Sequence, residues 1–175
     1  MKKLFVLFAS FALIFVLAAC GGETGDYEPG VYFGYTDGNQ NTFAVVTIDE
    51  NGFISEILVD TVYLKVVDDG PVTWLDRNDN PVDGIATTKR SLDGGCGYNM
   101  WPGQPVEDCK VEGQIMWHDQ VDLVAADVIE NQGVPTYDLD GAYFDEDGVD
   151  TVAGVTIRVT AYISAIENAL DQARK

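Results

Sequence analysis

The sequence predicts an α+β domain, one antiparallel β-sheet packed with two main helices. Two observations carry this. Between residues 31 and 63, runs of β-branched and aromatic residues are separated by turn signals. Residues 116–131 and 157–173 then show apolar side chains at helical spacing.

The elements follow in chain order. Lys2 and Lys3 precede an apolar run from Leu4 to Ala19, too short for a confident transmembrane helix and suited to a secretory leader. Residues 1–19 are therefore expected to be a signal peptide. Leu17-Ala18-Ala19-Cys20 resembles a bacterial lipobox, which makes Cys20 the expected lipidated N-terminus and 20–30 a short flexible tether. Cutting there removes Lys2 and Lys3 and leaves 156 residues with a formal charge of −21, set against −19 for the whole chain. That length fits one domain, 31–175. Such acidity opposes binding to nucleic acid or anionic lipid and attracts cations.

Three cysteines are present. With Cys20 lipidated, Cys96 and Cys109 are expected to close a disulfide in an oxidising compartment, stabilising the fold by about 3 kcal/mol on chain-entropy grounds. A zinc site is the alternative, but the lone His118 lacks ligand spacing with them.

The expected strands are Val31 to Tyr35, Thr42 to Ile48 and Phe53 to Tyr63, with Asp49-Glu50-Asn51-Gly52 as a hairpin turn. Residues 68–84 read as an acidic loop. Met116 to Asn131 places Trp117, Val121, Val124, Ala125, Val128 and Ile129 on one helical face, with Gly133 and Pro135 as stop signals. Residues 138–148 read as a second acidic, glycine-punctuated connection. Calcium binding by either acidic stretch is a less favoured alternative to solvated turns. The last helix is expected from about Ile157 to Ala173, burying Ala161, Tyr162, Ala165, Ile166, Ala169 and Leu170.

The chemistry-bearing stretch is Asp150-Thr151-Val152-Ala153-Gly154-Val155-Thr156. Gly154 lacks a Cβ and allows close backbone approach. Thr156 is expected at, or one residue from, the start of the last helix, where unpaired N–H groups and the helix dipole favour a phosphate. A threonine there could bind a phosphate, be esterified by one, or serve only as an N-cap.

This stretch resembles the Asp-x-x-Ser/Thr-Gly-Ala-Thr motif of FMN-binding domains, in which a flavin transferase joins FMN to the final threonine by a phosphoester. Ala153 and Val155 stand where that family usually has Ser/Thr and Ala. Thr88-Lys89-Arg90-Ser91-Leu92 with Gly97-Tyr98-Asn99-Met100, and the Trp-containing helix of 116–131, are similar to stretches of its extracellular electron-transfer lipoproteins. The resemblance implies covalent FMN on Thr156, with Gly154, Asp150 and Val155 shaping the loop. Tyr98, Met100, Trp101 and Trp117 become candidates to pack against the flavin ring.

It also implies an electron carrier rather than an enzyme with its own substrate, lipid-anchored on the outer face of the bacterial cytoplasmic membrane. Electrons would come from a membrane quinone-linked reductase and pass to soluble flavins or metal ions. Two alternatives belong to other classes: a lipoprotein binding FMN or another phosphorylated ligand non-covalently, and a calcium-stabilised structural surface lipoprotein. A hydrolase is disfavoured, because no serine or cysteine elbow motif accompanies His118.

Overall fold

A computed structural model describes residues 24–36, 41–62, 74–75, 81–82, 88–91, 98, 100–101, 104 and 108–175. The fold is α+β. Its main sheet comprises β1 (Gly30–Thr36), β2 (Thr42–Ile48) and β3 (Ile54–Thr61), antiparallel in the order β1-β2-β3. Two short ribbons follow, β4 (Trp74–Leu75) with β5 (Pro81–Val82), and β6 (Leu139–Asp140) with β7 (Tyr143–Phe144). The helices are α1 (Trp117–Glu130) and α2 (Thr160–Ala173), and Lys89–Ser91 forms one 3₁₀ turn.

Local chemistry explains the meander. Asp49 Oδ1 accepts from the backbone N–H groups of Asn51 and Phe53, both at 2.9 Å, while Gly52 takes φ +88°. The Phe53 N–H, helped by that of Asn51, holds the Asp49 carboxyl below its ordinary pKa. β2 alternates strictly, with Ala44, Val46 and Ile48 inward. In β3, however, Ile54 and Ile57 are both buried although three residues apart. Strict alternation forbids this, and a register shift at Thr47/Ile48 resolves it, Ile48 pairing with Ile54 and Thr47 with Glu56.

Both helices cover the inner face. On α2, Ala165, Ala169 and Ala173 are fully buried, and their small size lets the helix descend onto β1 at Gly34. Asn168 Nδ2 donates to Tyr35 O (2.9 Å) and Gln172 Nε2 to Phe33 O (2.8 Å), so two carbonyls of β1 are satisfied by α2 instead of staying open to another strand. The opposite face of the sheet keeps Val31, Phe33 and Leu58 exposed, with Phe33 stacked on Phe43.

Three expectations need correction. Residues 25–28, expected within the 20–30 tether, are bonded to the domain. Gly25 N–H donates to Asn51 O, Tyr27 N–H to Gly52 O and Glu28 N–H to Ala173 O, and the Tyr27 side chain is buried in the core. Second, α2 begins at Thr160 rather than near Ile157, and its buried face includes Ile163 while Ala161 is exposed. Third, the 138–148 connection holds the β6–β7 ribbon, turned by Gly141 at φ +63°. The expected helix over 116–131 and its stripe agree with α1, Ile129 being partly buried.

Candidate functional site

The N-terminal ends of both helices lie together at one pole of the domain. Trp117 on α1 and Tyr162 on α2 meet edge to face, with Trp117 Nε1–H donating to Tyr162 Oη at 3.0 Å. Thr156 reaches this pole through a loop, not through the helix. The N-cap of α2 is Val159, which makes no side-chain capping bond, and Thr156 lies four residues before Thr160. Its expected place at the helix start, whether as phosphate site or as N-cap, is therefore overturned. Val159 N–H donates instead to Ala142 O at 2.7 Å, tying the loop to the β6–β7 turn.

The loop conformation depends on glycine. Val155 N–H bonds to Val152 O at 3.3 Å across a turn whose third residue, Gly154, has φ +85°. That position belongs to the left-handed region, as a type II turn requires. A Cβ there would also lie 3.2 Å from Ile115 Cδ1 and 3.5 Å from Leu123 Cδ1. Val155 turns inward and is buried, whereas Thr156 is exposed. Asp150 is exposed as well. Its N–H donates to Asp138 Oδ2 (3.2 Å) and its carbonyl accepts from Asp138 N–H (2.8 Å), so it orders the loop through its backbone.

Thr156 opens onto a cleft of about 420 Å³ lined by Asp140, Tyr143, Phe144, Asp145, Glu146, Asp147 and Val155. This is the size of a cofactor cleft. Thr156 stands on its wall and the half-exposed Tyr143 ring lies within it. Four carboxylates oppose the dianion of free FMN at the same place. Two residues of this site were not anticipated from sequence. Tyr143 followed an acidic glycine turn and carried no distinguishing pattern. Gln120 lay on the inward side of a helix among apolar residues, and its polarity at such a position was the available signal.

Gln120 is 2% exposed. Its Nε2 donates to Ile115 O at 3.0 Å, and its Oε1 accepts from Thr156 N–H at 2.7 Å and from Thr156 Oγ1–H at 3.3 Å.

The proposed ring-packing residues fare unequally. Tyr98 and Met100 are partly buried against the core, and Trp101 is half-buried. Trp117 is 1% exposed and belongs to the core, so it offers no free ring face to a ligand. Lys89, itself buried, places Nζ 4.9 Å from the Tyr98 ring centre and 5.0 Å from that of Trp117. Arg90 beside it donates through Nε to Val59 O (2.8 Å) and pairs its guanidinium with Asp122. Asp60 Oδ1 accepts from the Thr61 and Arg90 N–H groups.

Burial, only partly offset by Asp60, pulls the Lys89 ammonium down to about 8. In the unfolded chain it keeps its proton to about 10.5, so between the two values the unfolded state binds more protons and stability rises with pH. Above pH 10 the sign reverses, because burial raises the Tyr137 and Tyr162 hydroxyls. Urea titrations of the wild type are expected to gain stability from pH 8 to pH 10, and those of Lys89→Met to show no such gain. Parallel profiles would contradict this account of Lys89.

Cys109 is disulfide-bonded. Cys96, its expected partner, and Cys20 lie outside the described residues, as does most of the 68–84 acidic loop. Among the described residues, no group of three or more His, Cys, Asp or Glu side chains is arranged to hold a metal ion, and no helix is long and apolar enough to cross a membrane. Compared with models of known protein families, with curated proteins and with solved structures, the chain matches none of them.

Proposed function

We propose that this chain is an extracytoplasmic lipoprotein that carries FMN esterified to Thr156 and relays electrons from a membrane reductase to acceptors beyond it. The observation that supports this best is the presentation of Thr156: an exposed residue just after a glycine-dependent turn, its hydroxyl held by a buried amide beside a cofactor-sized cleft. A capping threonine would face its own helix. This one does not.

The acidic wall opposes reversible binding of free FMN, and it opposes the remaining phosphate charge of an esterified FMN less strongly. Repulsion from Asp140, Asp145, Glu146 and Asp147 weakens an equilibrium, while a phosphoester retains its group regardless. Bound FMN supplies one- and two-electron chemistry, and the chain supplies attachment, orientation and exclusion of water. Position also supports a relay. The lipid-bearing end would join at Gly25, beside the α2 C-terminus, whereas Thr156 precedes the α2 N-terminus; 14 helical residues separate these ends by about 20 Å. The cleft then faces away from the bilayer, toward soluble flavins or metal ions.

The test is the visible spectrum of the mature chain, produced with and without a flavin transferase and read after denaturation and desalting. Flavin absorbance that persists only in the co-produced sample supports the proposal. Colour that washes out favours the non-covalent alternative, and no colour at all leaves a structural lipoprotein.

A further inference from the structure

We infer, resting on the lipid-anchored reading above, that the open face of the β1-β2-β3 sheet is a seat for a zwitterionic phospholipid surface. This seat fixes how the anchored domain lies.

Strand register lays the face out in three rows. Val31 stands beside Thr47 and Glu56, Phe33 beside Val45 and Leu58, and Tyr35 beside Phe43 and Asp60. Six of these nine side chains are apolar or aromatic. The solvated face of an antiparallel sheet ordinarily carries polar residues. Here Val31 is 69% exposed, Phe33 55%, Leu58 44% and Tyr35 41%, and Phe33 stacks on Phe43. Glu56 is exposed at one corner; Asp60, at the opposite one, is buried, with Oδ1 taken up by the Thr61 and Arg90 N–H groups. Contiguous exposed apolar surface marks a contact with protein or membrane.

Size and charge decide between these. From strand spacing and rise the face covers roughly 300 Å². A stable protein interface needs about 800 Å² from each partner. The formal charge of −19 also sets two copies of the chain against each other, and it opposes anionic lipid in the same way. A zwitterionic headgroup layer takes up apolar side chains without that repulsion.

The point at which the chain enters the domain places the lipid at this face. Gly25 and Tyr27 bond to Asn51 and Gly52 of the β2–β3 turn, at the end of the sheet that carries Val31, Thr47 and Glu56. Cys20 precedes Gly25 by five residues, which span at most about 18 Å when fully extended. An anchor there holds the bilayer beside the Val31 end. Exposure along β1 falls from Val31 to Tyr35, so the entry end leads the contact. Helix α2 runs antiparallel to β1, with Gln172 bonded at Phe33 and Asn168 at Tyr35. A contact led by Val31 and Phe33 therefore tips the α2 N-terminus, and Thr156 before it, away from the lipid.

The experiment reconstitutes the lipidated chain into phosphatidylcholine vesicles, with Phe33→Trp and Tyr143→Trp beside the wild type. Flotation shows attachment and circular dichroism shows folding. The emission that each variant adds to the wild type is then compared between ordinary lipid and lipid brominated near the headgroup end of its acyl chains. Bromine is expected to halve, at least, the emission added at position 33 and to leave that at position 143 unchanged.

An added emission at position 33 that bromine does not quench overturns the inference, because the face then rests in water or against a second copy. Equal quenching at both positions overturns it as well, since the domain would then have no preferred seat. Should Phe33→Trp fail to fold, Val31→Trp, at the most exposed position of β1, takes its place under the same criteria. A wild-type chain that does not float removes the lipid anchor, and the seat with it, a result distinct from a floating chain whose sheet face is unquenched.

Discussion

Gly34→Ala is expected to cost the domain about 3 kcal/mol or more, enough to leave much of it unfolded at room temperature. An added Cβ would stand 1.8 Å from Ala165 O and 2.6 Å from Ala169 N. Both are backbone atoms of α2, so no side chain can rotate away. The helix must lift from β1, opening the layer beneath Ala165, Ala169 and Ala173 and stretching the Asn168 and Gln172 bonds to the strand. Urea unfolding followed by circular dichroism measures the loss. A decrease below 1 kcal/mol would mean that α2 does not rest on β1 as closely as described.

Trp117→Ala is expected to cost about 3–5 kcal/mol, the usual range for truncating a buried aromatic residue. Trp117 fills the space between α1, Tyr162 of α2 and the Lys89 side chain, and its indole N–H is bonded to Tyr162. Truncation leaves a cavity and removes one of the two rings flanking a buried ammonium. Trp117→Phe, which loses the bond but keeps most of the volume, is expected to cost about 1–2 kcal/mol. Equal losses for the two variants would show that volume is not what Trp117 contributes.

Much of the fold was readable because its signals are local. The Asp49 turn carries its own hydrogen-bonding carboxylate, β2 alternates without a break, and the α1 stripe keeps its period from Trp117 to Val128. What could not be read depends on contacts between distant segments. The paired burial of Ile54 and Ile57 needs the register shift against β2. Tyr27 looked like part of a polar tether, yet its backbone pairs with Gly52 and Arg174, which only the assembled domain brings together.

The same distinction holds at the site. Gly154 was legible in part: the close approach expected of a residue without a Cβ is seen against Ile115 and Leu123, while its φ of +85° follows from the turn and had no signal of its own. The helix start was misplaced by three residues because Ile157 continues the apolar spacing of α2, while the bond from Val159 N–H to Ala142 O holds the chain in a loop there. Tyr143 enters the site through tertiary position alone, whereas Gln120 carried the one signal of a polar residue on an apolar helix face.

The central claim is that Thr156 carries the flavin. It is tested most directly by peptide mass spectrometry of the mature chain co-produced with a flavin transferase, beside Thr156→Ala. One FMN on the peptide containing Thr156, absent from the variant, is the predicted result. An unmodified Thr156 peptide from fully folded protein, or flavin retained by Thr156→Ala, would contradict it.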